Sequence, residues 1–167
     1  MIVVSDTTPL ISFMKIGQLD LIQRLFGEIQ IPEAVFEELV SNNRFPEESR
    51  QIQESSFIKK VKVTDIKAVD LLRRSTALDA GESEAIILSD TVEADFLLMD
   101  EVKGRRVAQQ MGIPLMGTIG MLMVAYNDGL LSKEEILSYI EILKMNGRHI
   151  SNKLYEQLIY KLEHNNK

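Results

Sequence analysis

Short apolar runs interrupt an otherwise helical pattern, and two of them stop at an acid. Met1-Ile-Val-Val-Ser5 is rich in β-branched residues and stops at Asp6, which reads as a buried central strand with an acid at its C-terminal end. Ala94-Asp-Phe-Leu-Leu-Met99 repeats that arrangement and stops at Asp100. Glu28 to Ile31 and Ile113 to Met116 read as two shorter strands, and Phe57 to Val63 alternates apolar with basic residues as an edge strand does, leaving Lys59, Lys60 and Lys62 outward. Between them lie apolar positions at helical spacing. Thr8 and Pro9 look like an N-cap and a first helical residue, with that helix running to about Lys15. Leu19 to Phe26 continues the spacing until Gly27, and Pro32 stands where another helix would open and carry Ala34, Val35, Leu39 and Val40 on one side. Ser41 to Ser56 is polar and reads as a surface loop with an exposed helix. Asp79 with Glu82 has the spacing of a capping box ahead of Ala85 to Leu88, and Glu101 to Met111 reads as a helix closed by Gly112.

Strands alternating with helices predict an α/β fold, a three-layer α/β/α sandwich on a mainly parallel sheet. From Gly117 onward only helical spacing remains, with a second capping box at Ser132 to Glu135 and a last amphipathic helix from about Ser151. The expected organisation is a core over residues 1–125 and a helical extension over 126–167 packed on the same domain. The apolar face of the extension, Ile136, Leu137, Ile140 and Leu143, reads first as core packing, with a homodimer or partner surface as the sharper alternative.

Composition narrows the function. At 167 residues the chain can bury a core without staples, and with no cysteine it has no disulfide, thiolate metal site or cysteine nucleophile. A cytoplasmic setting and no membrane span are expected. With 25 acidic and 19 basic side chains the formal charge is −6, which excludes nucleic-acid binding by a general positive field and leaves local contacts. In an open parallel sheet ligands gather outside the carboxyl ends of the strands, where Asp6 and Asp100 fall, and Glu38 and Glu82 lie on helices that can face the same crevice. Four carboxylates in one pocket repel one another unless a cation neutralises them, and a hard divalent ion such as Mg²⁺ suits oxygen donors. Each acid also has a plainer role: Asp6 as a turn residue, Glu82 as a box partner, Glu38 as a solvated helix acid, Asp100 and Glu101 as helix-start acids.

The motifs Val3-Val-Ser-Asp-Thr-Thr-Pro-Leu10, Ile31-Pro-Glu-Ala-Val-Phe-Glu-Glu-Leu39, Asp79-Ala-Gly-Glu-Ser-Glu-Ala-Ile86 and Leu97-Leu-Met-Asp-Glu101 with Arg105-Arg-Val-Ala108 together resemble the PIN-domain family, most of all a prokaryotic subgroup related to the toxin nucleases of toxin–antitoxin pairs (VapC-like). The resemblance spans roughly residues 1–125. It implies a metal-dependent endoribonuclease using Mg²⁺ or Mn²⁺, with Asp6, Glu38, Glu82 and Asp100 as the catalytic acids. Asp6, Glu82, Asp100 and Glu101 are then the metal-side set, and Thr7 is the hydroxyl residue after the first acid. It also implies RNA as substrate and an antitoxin protein as partner, one that would block the pocket by inserting Arg or Lys among the carboxylates. Val102 stands where many relatives carry a further Asp. Lys103, Arg105 and Arg106, one turn from Asp100, are the expected phosphate contacts. Two other functions remain open: an inert PIN-like module that binds RNA or protein, and a phosphatase with Asp6 as nucleophile. The phosphatase would want a second Asp where Thr8 stands.

Overall fold

A computed structural model describes residues 1–164; the last three positions of the 126–167 range lie outside the described residues. Five strands, β1 (Val3–Ser5), β2 (Ile29–Pro32), β3 (Ile58–Val61), β4 (Phe96–Leu98) and β5 (Leu115–Met116), form one sheet in the order β3-β2-β1-β4-β5, with every pairing parallel. The α/β architecture is therefore the one the alternating pattern predicts. β1 sits centrally, aligned on β4 through Val3 with Phe96, Val4 with Leu97 and Ser5 with Leu98. β3 is an edge strand that leaves Lys59 and Lys60 exposed.

Successive strand residues point to opposite faces, and this period of two divides the core. Val3 and Leu98 join one apolar cluster with Leu10, Phe13, Leu21 and Met121, while Val4 and Leu97 join another with Ile86, Leu88 and Ala108. The first layer is built on α1 (Thr7–Lys15), α2 (Leu19–Phe26), α3 (Glu33–Val40), α4 (Pro46–Glu54), α8 (Thr118–Asn127), α9 (Lys133–Met145) and α10 (Asn152–His164). The second is built on α5 (Ile66–Thr76), α6 (Ala80–Thr91) and α7 (Val102–Gln110). Ile136, Ile140 and Leu143 of α9 and Leu158 and Leu162 of α10 are buried in the same cluster as Val3, so these apolar faces are core packing. Among the described residues, no helix is long and apolar enough to cross a membrane.

Helix starts differ from the sequence expectation in a way that matters for the site. α1 opens at Thr7 with Asp6 as its N-cap residue, two residues ahead of the expected Thr8 cap. The strand therefore turns directly into the helix at the acid. Pro32 ends β2 and caps α3 rather than opening it, and the Ala34 N–H there is satisfied by the Glu84 carboxylate at 3.0 Å. Helix α5, whose N-cap Asp65 accepts from Ala68 N–H at 2.9 Å, lies in a stretch whose mostly polar pattern gave no expectation.

Candidate active site

The chain leaves β1 toward β2 on one side and leaves β4 toward β5 on the other, so the crevice where ligands of such sheets bind lies at the C-terminal ends of β1 and β4. Asp6 occupies the β1 end. Its backbone N–H donates to Leu98 O at 2.9 Å, and the residue is 3 % exposed. Burial alone pushes its carboxyl up most. The charges of Glu82, Asp79 and Glu38 raise it further and the Thr7 backbone N–H lowers it, leaving a pKa of about 7. The N-terminus of α1 favours an anion here, but desolvation and three like charges win.

The neighbours are fixed from three helices. Thr7 Oγ1 donates to Glu38 Oε2 at 2.9 Å, linking the start of α1 to α3. The expected capping box forms: Glu82 N–H donates to Asp79 Oδ1 at 2.8 Å and Asp79 N–H donates to Glu82 Oε2 at 3.0 Å. Gly81 lets α6 approach α3 closely, because a Cβ there would lie 3.1 Å from Glu38 Oε2 and 3.4 Å from Val35 Cγ2, with Asp79 Oδ1 at 3.5 Å. Glu82 is also raised, first by burial and then by Asp79 and Glu101, with Lys103 opposing. Glu38 and Glu82 are therefore electrostatic neighbours of Asp6. Asp79, read from sequence only as a cap, joins them; its box spacing with Glu82 was the signal, since both side chains of a box share one helix end.

Asp100 is placed differently. Thr118, at the start of α8, donates its N–H to Asp100 Oδ1 at 2.8 Å and its hydroxyl to Oδ2 at 2.6 Å. Arg148, in the segment between α9 and α10, adds an ion pair at 3.4 Å. The same guanidinium donates through Nη2 to Thr8 O at 2.8 Å and through Nη2 and Nε to Ser12 Oγ at 2.6 and 2.9 Å. Asp100 thus ties α8, α1 and the C-terminal helices to the end of β4. Neither Thr118 nor Arg148 stood out in the sequence: Arg148 lies 48 residues from Asp100, in a short connection without a motif.

Of the expected phosphate contacts, Lys103 donates to Ala77 O at 3.3 Å, Arg105 donates to Met99 O at 2.7 Å, and Arg106 is exposed on α7. Glu101 is the exposed N-cap residue of α7. Gly104, behind Glu82, is required for packing, because a Cβ there would lie 2.6 Å from Met99 Sδ and 3.6 Å from Glu82 Oε1. Gly104→Ala is expected to destabilise the fold by about 1–3 kcal/mol as Met99, fully buried, is forced to move. Denaturant unfolding of the variant measures this, and an unchanged midpoint would mean that α7 adjusts without strain.

A divalent cation fits this cluster by charge and donor type, since a buried carboxyl near pKa 7 beside three more carboxylates lacks positive compensation. Among the described residues, no group of three or more His, Cys, Asp or Glu side chains is arranged to grip an ion. Among curated proteins, none matches the chain. A family model described as a PIN domain (DUF3368) matches residues 2–164, reaching from β1 through α10. PIN domains are generally nucleases that use divalent metals, and with nearly its whole length matched the chain belongs to the PIN-domain family.

Proposed function

We propose that the protein is a metal-dependent endoribonuclease that hydrolyses RNA phosphodiester bonds, working at Asp6, Glu38 and Glu82 with Asp79 beside them. The observation that carries this reading is Asp6: a buried carboxylate at the end of the central strand, held near pKa 7 by desolvation and by three neighbouring acids. Asp6, Glu38 and Glu82 would hold Mg²⁺ or Mn²⁺, which when bound polarises the attacking water and offsets charge building on the phosphate oxygens. The chain's own residues prepare that step. The Thr7 hydroxyl orients Glu38, and the capping box fixes Glu82 Oε2 while leaving Oε1 toward Gly104. Lys103, Arg105 and Arg106 on α7 supply positive charge for the phosphates. A water oxygen bonds to phosphorus as the opposite P–O bond breaks, the water proton passes to a site carboxylate, and the leaving oxygen takes a proton from solvent.

Asp100, held by Thr118 and Arg148, serves as the post that positions the crevice, and it would be free to hold a metal only if it were released from Arg148. The nuclease would act as the toxin of a toxin–antitoxin pair. An antitoxin would end catalysis by placing an Arg or Lys among the uncompensated acids. RNA cleavage by the wild type in Mg²⁺ or Mn²⁺, abolished by a chelator and by Asp6→Asn, is the expected outcome. Cleavage that survives the substitution would place the chemistry elsewhere.

A further inference from the structure

Two clefts meet at Asp100 on the side formed by the C-terminal helices. The larger, about 660 Å³, runs between β5 with α8 on one wall and α10 on the other, and the smaller, about 340 Å³, lies under the Gly147 to Ile150 connection. Asp100, Val102, Ile119, His149 and Leu154 line both. Arg105 and Lys161 line the larger cleft and Arg148 the smaller, so three permanent cations face two carboxylates, Asp100 and Glu101, one of which Arg148 already neutralises. In a chain of net charge −6 this is a local reversal of sign. Arg148 is anchored through Nε and Nη2, and among the described residues its Nη1 has no hydrogen-bond partner, which leaves that donor for a ligand. The walls are apolar and partly open: Val102 is 70 % exposed and Leu154 38 %.

We propose that this double cleft is the track that carries a single-stranded RNA to the acidic site, with Arg148, His149 and Lys161 of the C-terminal segment, together with Arg105, contacting its phosphates. The identity of the ligand rests on the nuclease reading above. Single-stranded nucleic acids are held by a cationic groove that follows the backbone, and here the exposed Val102 and Leu154 side chains give the groove an apolar wall against which base faces can lie. Asp100 is at the junction of the clefts and two residues past the end of β4, the parallel neighbour of β1, so the clefts meet at the same C-terminal edge of the sheet as Asp6. The C-terminal helices would thus both complete the core and guide the substrate.

The test uses the full chain carrying Asp6→Asn, so that the RNA survives, and a labelled single-stranded oligouridine followed by fluorescence anisotropy across a salt series without divalent ions. Lys161→Glu, at an exposed site, is expected to weaken binding roughly fivefold or more and to reduce the salt slope by about 0.7, the share of one phosphate contact in a single strand. Arg148→Ala should act in the same direction, with Arg148→Lys restoring part of the affinity. Affinity and slope unchanged by Lys161→Glu and Arg148→Ala, or no binding by the parent, would overturn the track. Displacement of the RNA by polyglutamate at equal charge concentration would overturn it as well and reassign the cleft to an acidic protein segment. Parallel cleavage assays with the chain bearing native Asp6 separate the two claims: loss of binding in the variants with no cleavage by the native site sinks the nuclease reading alone, whereas cleavage with unaltered binding sinks the track alone.

Discussion

Asp6→Asn is expected to make the metal-free protein more stable at pH 8 while removing its catalysis. The sign follows from linkage. A carboxyl near 3.8 when unfolded and about 7 when folded keeps its proton in the native state across that interval, so stability falls as pH rises from about 4 through about 7 and stays low above it. The difference corresponds to on the order of 4 kcal/mol, an upper figure that side-chain rotation would reduce. Glu82, raised by burial and by Asp79 and Glu101, contributes with the same sign. Asn has no charge to desolvate, so urea unfolding in chelator should show a shallower pH dependence for the variant and a higher midpoint than wild type at pH 8. Mn²⁺ should stabilise the wild type and leave Asp6→Asn nearly unmoved. Cleavage should drop by at least roughly a hundredfold, the scale for removing one preorganised electrostatic group from a reaction site. A variant less stable than wild type at pH 8 would show that Asp6 is compensated in solution.

Asp100→Ala is the second large effect, and it should appear as lost stability before lost chemistry. The substitution strips the acceptor from Thr118 N–H, Thr118 Oγ1 and Arg148 together, at a site where Asp100 and Arg148 are about one-fifth and one-quarter exposed. Breaking such a half-buried pair on one side is expected to cost about 2–4 kcal/mol, because the remaining charge is left without its partner. Arg148→Ala should be costly alone and less costly in the Asp100→Ala background, with a coupling on the order of 1–3 kcal/mol. The part of its cost that persists reports the bonds to Ser12 and Thr8. Strict additivity in the double-mutant cycle would mean that the ion pair does not hold the C-terminal segment to β4.

These two acids also show what a sequence can and cannot say. Both were legible as strand-terminal residues, since Val3 to Ser5 and Phe96 to Leu98 are short, apolar and bounded by polarity. The parallel sheet followed from alternation of strands with helices, and the box at Asp79 and Glu82 followed from a spacing with one geometric meaning. The partners of each acid were not legible. Asp6 and Asp100 end adjacent strands, yet one faces three carboxylates and the other a threonine and an arginine. That difference depends on where α8 begins and how the Gly147 to Ile150 connection folds back, which are long-range matters without local periodicity. Helix α5 escaped notice for a related reason: it buries only Val69, so its apolar stripe is too thin to stand out.

Whether Asp6, Glu38 and Glu82 share a divalent cation is read out by calorimetric titration of the metal-free protein with Mn²⁺ at pH 6. Run in two buffers of different ionisation enthalpy, the titration should show binding accompanied by release of close to one proton, the one Asp6 holds below its pKa of about 7. Asp6→Asn should lose both the binding and the proton. Absence of Mn²⁺ binding, or the same affinity and proton count in the variant, would mean that these acids hold no shared ion.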